Sequence, residues 1–176
     1  MSKPFAGRPA PPSPLIRHMV SSDLPQVMRI QRACYEQAFH EPRDAFAVKL
    51  HGSEGTCWVA CDGLHIYAYL VSLVIMGDEI PALHATTWQP GSSPTWLYLH
   101  DLAIDPQFRG SGLSAWLLDA AKAYAHAHQL TAIGLIAVQG SEPFWAQTWF
   151  CAALAQRQGL YRQAGLVWHR CGLHGV

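Results

Sequence analysis

The chain has 176 residues, half of them hydrophobic, 11% aromatic and only 14% charged. Twelve Lys and Arg balance twelve Asp and Glu, so no net charge recommends a nucleic acid or an anionic membrane as partner. The length suits one domain that buries its own core, and no run reaches the ~18 apolar residues of a membrane span. Five Cys is an odd number, no Cys-x-x-Cys pair exists, and the N-terminus lacks an apolar leader. Reduced thiols and a cytoplasmic location are the expectation.

Residues 1–14 carry five prolines and read as a loose tail, with the folded domain over 15–176. Leu15 to Val20 reads as a first strand. Ser21-Ser22-Asp23 supplies an N-cap, Pro25 suits a first helical turn, and apolar residues keep helical spacing to about Phe39. Pro42-Arg43-Asp44 restarts a shorter helix through Leu50. Thr56–Cys61 and Leu64–Ile75 are β-prone and flank the hairpin turn Asp62-Gly63. Gly77 to Pro94, with three prolines and two glycines, is a loop of functional length. Thr95 to Ile104 resumes as a strand. From Ser111 to His128 the chain is an amphipathic helix, with Leu113, Trp116, Leu117, Ala120, Ala121 and Tyr124 on one face. Leu130 to Val138 is uninterruptedly apolar, as befits a buried strand parallel to its predecessor. A short helix around Pro143–Phe150 and a strand over Leu166–Leu173 complete the pattern.

The informative segment runs from Asp101 to Leu113, where a strand, a proline turn and a Gly-Ser-Gly bend lead into the long helix. Glycines there let several N–H groups and the helix N-terminus converge, which makes an anion site suited to a pyrophosphate. Arg109 adds a positive charge. Gly110-x-Gly112-x-x-Ala115 formally fits the dinucleotide fingerprint, but Ala120 to Val138 holds no Asp or Glu for a ribose,. A P-loop would need Gly-Lys-Ser/Thr, which is absent.

Gln107-Phe108-Arg109-Gly110-Ser111-Gly112 resembles the acetyl-CoA signature of the GNAT superfamily of N-acetyltransferases, Gln/Arg-x-x-Gly-x-Gly/Ala after a strand. The likeness extends over about residues 15–173 in the order of elements. It implies an α/β fold: a single GNAT-like domain whose mixed, mostly antiparallel sheet is flanked by helices and splayed where CoA enters. Acetyl-CoA is the implied cosubstrate, and no metal is implied. Its pyrophosphate would lie on main-chain amides of Gln107, Phe108, Arg109, Gly110, Ser111, Gly112, Leu113 and Ser114. Its pantetheine would pair with the edge of Leu102, Ala103 and Ile104, and an N–H near Leu102 would polarise the thioester. The implied reaction is direct transfer of acetyl to a primary amine of a small molecule or peptide, and a homodimer is compatible with the family. The alternative is an acyl-CoA-binding module without turnover.

Acetyl transfer needs a base for the amine, a donor for the thioester oxygen and a proton for the departing thiolate. Tyr98-Leu99-His100-Asp101 precedes the signature. Strand alternation puts Tyr98 and His100 on one face, Leu99 and Asp101 on the other, barring a bulge. His100 is the candidate base, with Tyr98 assisting; its alternative is a hydrogen bond within the sheet. The segment is similar to that of arylalkylamine N-acetyltransferases, where two His two apart relay the proton; Tyr98 stands where the first would be. Asp101 reads as either a base or a structural carboxylate. The family's thiolate acid is a Tyr whose position here is held by Trp145, which leaves unassisted departure or a group such as Tyr161. Tyr35, Phe39 and Trp88 read as pocket or core aromatics, and Asp78 and Glu79 as an amine lure or a solvated loop tip.

Overall fold

The computed structural model of the chain describes residues 14–76, 80–152 and 167–172. Residues 1–13 of the expected tail, Asp78, Glu79 and Tyr161 lie outside the described residues. Seven strands form one sheet: β1 (Leu15–His18), β2 (Trp58–Cys61), β3 (Ile66–Ile75), β4 (Trp96–Ile104), β5 (Ala132–Ala137), β6 (Cys151–Ala152) and β7 (Val167–Gly172). Their order is β1-β2-β3-β4-β5-β7-β6. The β4–β5 pair is parallel and the others antiparallel, so the mixed, mostly antiparallel α/β sheet expected from the sequence is what forms.

Helices α1 (Leu24–Cys34), α2 (Arg43–Gly52), α3 (Leu113–Ala127) and α4 (Glu142–Ala146) flank this sheet. One face is covered by α3, whose buried Leu113, Leu117, Leu118, Ala121 and Ala125 join Leu70, Leu97, Leu99 and Ile133 in one apolar cluster. The stripe is centred on the i, i+4 row from Leu113 to Ala125, and Leu118 fills its flank. Trp116, expected inside the stripe, is therefore 46% exposed. The opposite face is covered by α1 and α2, where Val27, Ile30 and Phe46 pack with Val59, Tyr69, Val71 and Ala103.

Helical spacing suggested that the first helix would run to Phe39, but it stops at Cys34. Tyr35 adopts extended backbone (φ −113°, ψ 154°), and its hydroxyl donates to the Leu102 carbonyl at 2.9 Å. A tertiary contact to β4 thus overrides local propensity. A 3-10 turn at Gln37–Phe39 follows and carries the chain to Glu41, over the sheet face.

Two irregularities in β4 shape the centre of the molecule. Pairing with β5 runs only from Trp96↔Ala132 to Leu99↔Leu135, although β4 continues to Ile104 and β5 to Ala137. The two strands part beyond Leu99. At the same level β4 carries one extra residue: Val71 faces Asp101 while Ser72 faces Leu99, so His100 is a bulge,.

Candidate active site

The bulge decides which side chains share a face. Before it, Leu97 and Leu99 point to the α3 side; after it, Leu102 and Ile104 do. Asp101 therefore does not lie opposite His100, as strict alternation would have it. The one-residue slip turns Asp101 and Ala103 to the α1–α2 face,. Tyr98 and His100 lie toward the same side, with ring centroids 5.8 Å apart in an edge-on arrangement.

The His100 side chain is 5% exposed. Its Nε2 makes a short hydrogen bond to Glu41 Oε1. Glu41 is itself nearly fully buried, and its second oxygen accepts from Lys49 Nζ at 2.6 Å and from the His84 backbone N–H at 2.8 Å. Lys49 is completely buried and projects from α2. Burial alone would raise the Glu41 carboxyl, but the His100 hydrogen bond and charge, with Lys49, outweigh it and hold it at about 2,. Glu41 is then a carboxylate and can only accept, so His100 Nε2 must carry the hydrogen. In the neutral ring this leaves the basic lone pair on Nδ1. That Nδ1 is buried and has no hydrogen-bond partner.

Asp101 is held differently. The Tyr69 hydroxyl donates to its Oδ2 at 2.8 Å, while its buried Oδ1 has no partner. Burial raises the carboxyl, which Tyr35, His100 and Tyr69 offset only in part. The same burial pushes the Tyr35 and Tyr69 hydroxyls well above their usual range, so both remain hydrogen-bond donors.

The turn after β4 is fixed from several sides. Asp105 Oδ1 accepts from the Gln107 N–H at 3.1 Å, its Oδ2 pairs with Arg29 of α1 at 2.8 Å, and its N–H donates to the Tyr67 carbonyl at 2.8 Å. The Phe108 ring packs on Tyr67 with centroids 4.4 Å apart. Gln107 and Phe108 form a 3-10 turn. Gly110 (φ +79°) and Gly112 (φ +83°) are left-handed, and a Cβ on either would meet nothing within 4 Å. Their constraint is backbone conformation beside open space. Gly112 caps α3, whose first N–H groups have no helical acceptor. Ser111 is exposed, Ser114 half-buried, and the Leu113 side chain packs into the core under α3. Arg109 lies against the Cys34 thiol at the end of α1; burial raises that thiol and Arg109 lowers it in part.

Because Asp105 pairs with Tyr67, two-residue alternation gives Ala103 and Asp101 to the β3 ladder,. Leu102 and Ile104 therefore turn their main-chain groups toward the edge that β5 has left. Their carbonyls are already taken, by the Tyr35 hydroxyl at 2.9 Å and the Cys34 thiol at 3.1 Å. The edge thus faces the gap with N–H donors.

One cavity of about 1080 Å³ connects these parts. It is lined by Gly110, Ser114 and Val138 near the glycine turn, by Leu102 and Leu135 on the parted strands, and by Tyr98, His100 and Asp101. Trp145 lines it and is buried, edge-on to Phe144 and Phe150; its indole N–H can donate a hydrogen bond but is far too weak an acid to protonate a thiolate. Tyr35 and Phe39 also line it, whereas Trp88 packs against Leu73, Ile75 and Tyr98. Glu41 and Lys49 were not anticipated from the sequence. The available signal was a Lys on the same helical row as Ala45, a charge placed where an apolar side chain belongs. Among the described residues no cluster of three His, Cys, Asp or Glu side chains could hold a metal, and no helix is long and apolar enough to cross a membrane.

The sheet thus parts beside a bulge, and a turn with two left-handed glycines stands where β4 hands over to α3. Residues 24–147 match the model of the Acetyltransferase (GNAT) family, and the chain belongs to that family. Solved structures share the fold at low identity. A GNAT-like decarboxylase, GphF, in complex with isobutyryl-CoA superposes with a TM-score of 0.74 at 18% identity, covering 91% of this chain and all of that one. Ard1 from Thermoplasma volcanium gives 0.72 at 13% identity, covering 93% and 99%. The ribosomal-protein-S18-alanine N-acetyltransferase from Escherichia coli gives 0.65 at 13%, covering 93% and 96%. No curated protein sequence matches significantly.

Proposed function

We propose that the protein is an acetyl-CoA-dependent N-acetyltransferase that acetylates a primary amine by direct transfer, with His100 as the base. The observation that carries this reading is one cavity lined by the glycine turn, the parted strands and His100, whose Nδ1 has no partner. Acetyl-CoA would lay its pyrophosphate on the amides of residues 107–114 beside Arg109 and its pantetheine along Leu102–Ile104. The donor-lined edge suits the carbonyl oxygens of pantetheine and of the thioester, where charge develops during attack. Tyr98 walls the base edge-on, and Glu41 fixes its tautomer, as an orienting carboxylate does in nucleophile–base triads.

The proton balance is simple. An ammonium gives one proton to His100 Nδ1, and the free amine forms the C–N bond to the thioester carbon. Collapse of the tetrahedral adduct breaks the C–S bond. The second nitrogen proton ends on the CoA sulfur, and His100 releases the first to solvent. This route needs no acid at Trp145.

Acetyl-CoA at a hundred times its dissociation constant should stabilise the fold by ~2.7 kcal/mol, read as a rise in melting temperature. Gly110→Val should abolish that rise. In a thiol-release assay across primary amines at neutral pH, His100→Ala should lower kcat by roughly 10²–10⁴. Acetyl-CoA binding without thiol release from any amine would identify a non-catalytic acyl-CoA module instead.

A further inference from the structure

The reaction requires a lone pair at His100 Nδ1, but it does not explain why a second buried acceptor lies unpartnered beside it. Asp101 is 9% exposed, its Oδ1 has no hydrogen bond, and it lines the same cavity. Its neighbours are the neutral hydroxyls of Tyr69 and Tyr35, the imidazole of His100 and the carboxylate of Glu41. None of these is a fixed cation. The buried ammonium of Lys49 is spent on Glu41 at 2.6 Å and on the Ala45 carbonyl, and Arg29 is spent on Asp105. A buried carboxylate without a counter-ion is costly, and the usual resolution is a partner of opposite charge.

From this we infer that Asp101 is the ammonium-recognition residue, and that the acceptor is a small primary amine carried on an apolar, uncharged body. The inference rests on the acetyltransferase reading above. The bulge brings two consecutive residues, His100 and Asp101, each with one buried and unpartnered acceptor atom, to the wall of one cavity. An alkylammonium has three N–H donors, enough to bond Asp101 Oδ1 and His100 Nδ1 together. The first bond holds the cation and the second removes its proton. Phe39, Ile80, Leu83 and Tyr98 add apolar wall to this cavity, and its fixed cation, Arg109, lies against the Cys34 thiol beside the glycine turn, where the pyrophosphate would engage it. An amino acid's carboxylate would meet Asp101 and Glu41 there and could be paired only by taking Arg109 from the cosubstrate.

The test uses the full-length protein, acetyl-CoA and thiol release with hexylamine and 6-aminohexanoate, which differ only in the far end of the chain. Hexylamine should be the better substrate by at least about 30-fold in kcat/KM, since an unpaired buried charge costs roughly a few kcal/mol. Asp101→Asn should raise KM for hexylamine by ~30-fold or more while lowering kcat less. Its acetyl-CoA melting shift should persist, which certifies both the fold and the cosubstrate site. Equal turnover of the two amines, faster acetylation of a lysine peptide than of hexylamine, or an Asp101→Asn variant that loses kcat at unchanged KM would each overturn the inference and leave the acetyltransferase reading standing. Thiol release from no amine at all would instead overturn that reading. Should Asp101→Asn fail to fold, the hexylamine comparison in the wild-type protein decides alone.

Discussion

Two carboxylates are buried within one shell of His100, and they are treated in opposite ways. Glu41 has every need met: a lysine ammonium, a backbone N–H and an imidazole N–H. Its carboxyl is held far below the usual range, near 2. Asp101 has a hydroxyl on one oxygen and nothing on the other, and its carboxyl is pushed up by burial. Burial is common to both, so compensation is what separates them. Both residues line the cavity; the compensated carboxylate orients the His100 ring, and the uncompensated one is left with an oxygen that a partner of opposite charge would complete.

Taking the compensation from Glu41 should give the largest effect. Lys49→Met leaves a charged carboxylate in a dry site and should cost about 3–5 kcal/mol in denaturant unfolding. Combining it with Glu41→Leu should recover most of that stability, because an apolar pair can replace a buried ion pair. Activity should not return with it, since His100 has lost the acceptor that fixes its tautomer. A doubly substituted protein that regained full thiol release would remove Glu41 from the mechanism.

The contrast also has a sign in pH. The depressed Glu41 carboxyl contributes stability that is fully present above about pH 4.5 and disappears as pH falls toward about 2, worth about 3 kcal/mol. The raised Asp101 carboxyl does the reverse: its protonated form is favoured in the fold, so stability falls as pH rises through its folded value from the ordinary 3.8,. Melting curves of Glu41→Gln and Asp101→Asn against wild type should therefore diverge. Between about pH 2 and pH 4.5, Glu41→Gln should lose ground steadily, whereas above about pH 4 Asp101→Asn should gain it. Parallel curves would mean that the two carboxylates do not differ in kind.

Backbone strain at the glycine turn ranks next. Gly112→Val keeps all contacts, because a side chain there meets nothing within 4 Å, but forces a β-branched residue to φ +83°. A loss of roughly 1–2 kcal/mol is expected, together with loss of the acetyl-CoA melting shift. A variant that kept the shift would place the pyrophosphate elsewhere.

What could be read from the sequence follows from the range of the interactions involved. Strands, the Asp62-Gly63 turn, α3 and the glycine signature are set by neighbours a few residues apart, and periodicity exposes them. His100 could be singled out as a candidate base because an imidazole on the strand before the signature is unusual chemistry in a suitable place. The bulge could not, since it depends on how β4 registers against β3, and with it went the facing of Asp101. Glu41 sits 59 residues from His100, beyond a helix that ends early because Tyr35 reaches for the Leu102 carbonyl. No local pattern encodes that approach.

The smallest effect should come from an ion pair that resembles Lys49–Glu41 in distance alone. Arg29 meets Asp105 at 2.8 Å, against 2.6 Å for the buried pair, yet the Arg29 side chain is 53% exposed. Water can replace the guanidinium's partner when the pair breaks, so Arg29→Ala should cost under about 1 kcal/mol, a melting shift of no more than ~4 °C in a chain of this size. Asp105→Ala should cost more than Arg29→Ala, because that carboxylate also holds the Gln107 N–H at the head of the glycine turn, and it alone should raise KM for acetyl-CoA. Equal losses from the two would mean that the ion pair, and not the cap on Gln107, shapes the turn.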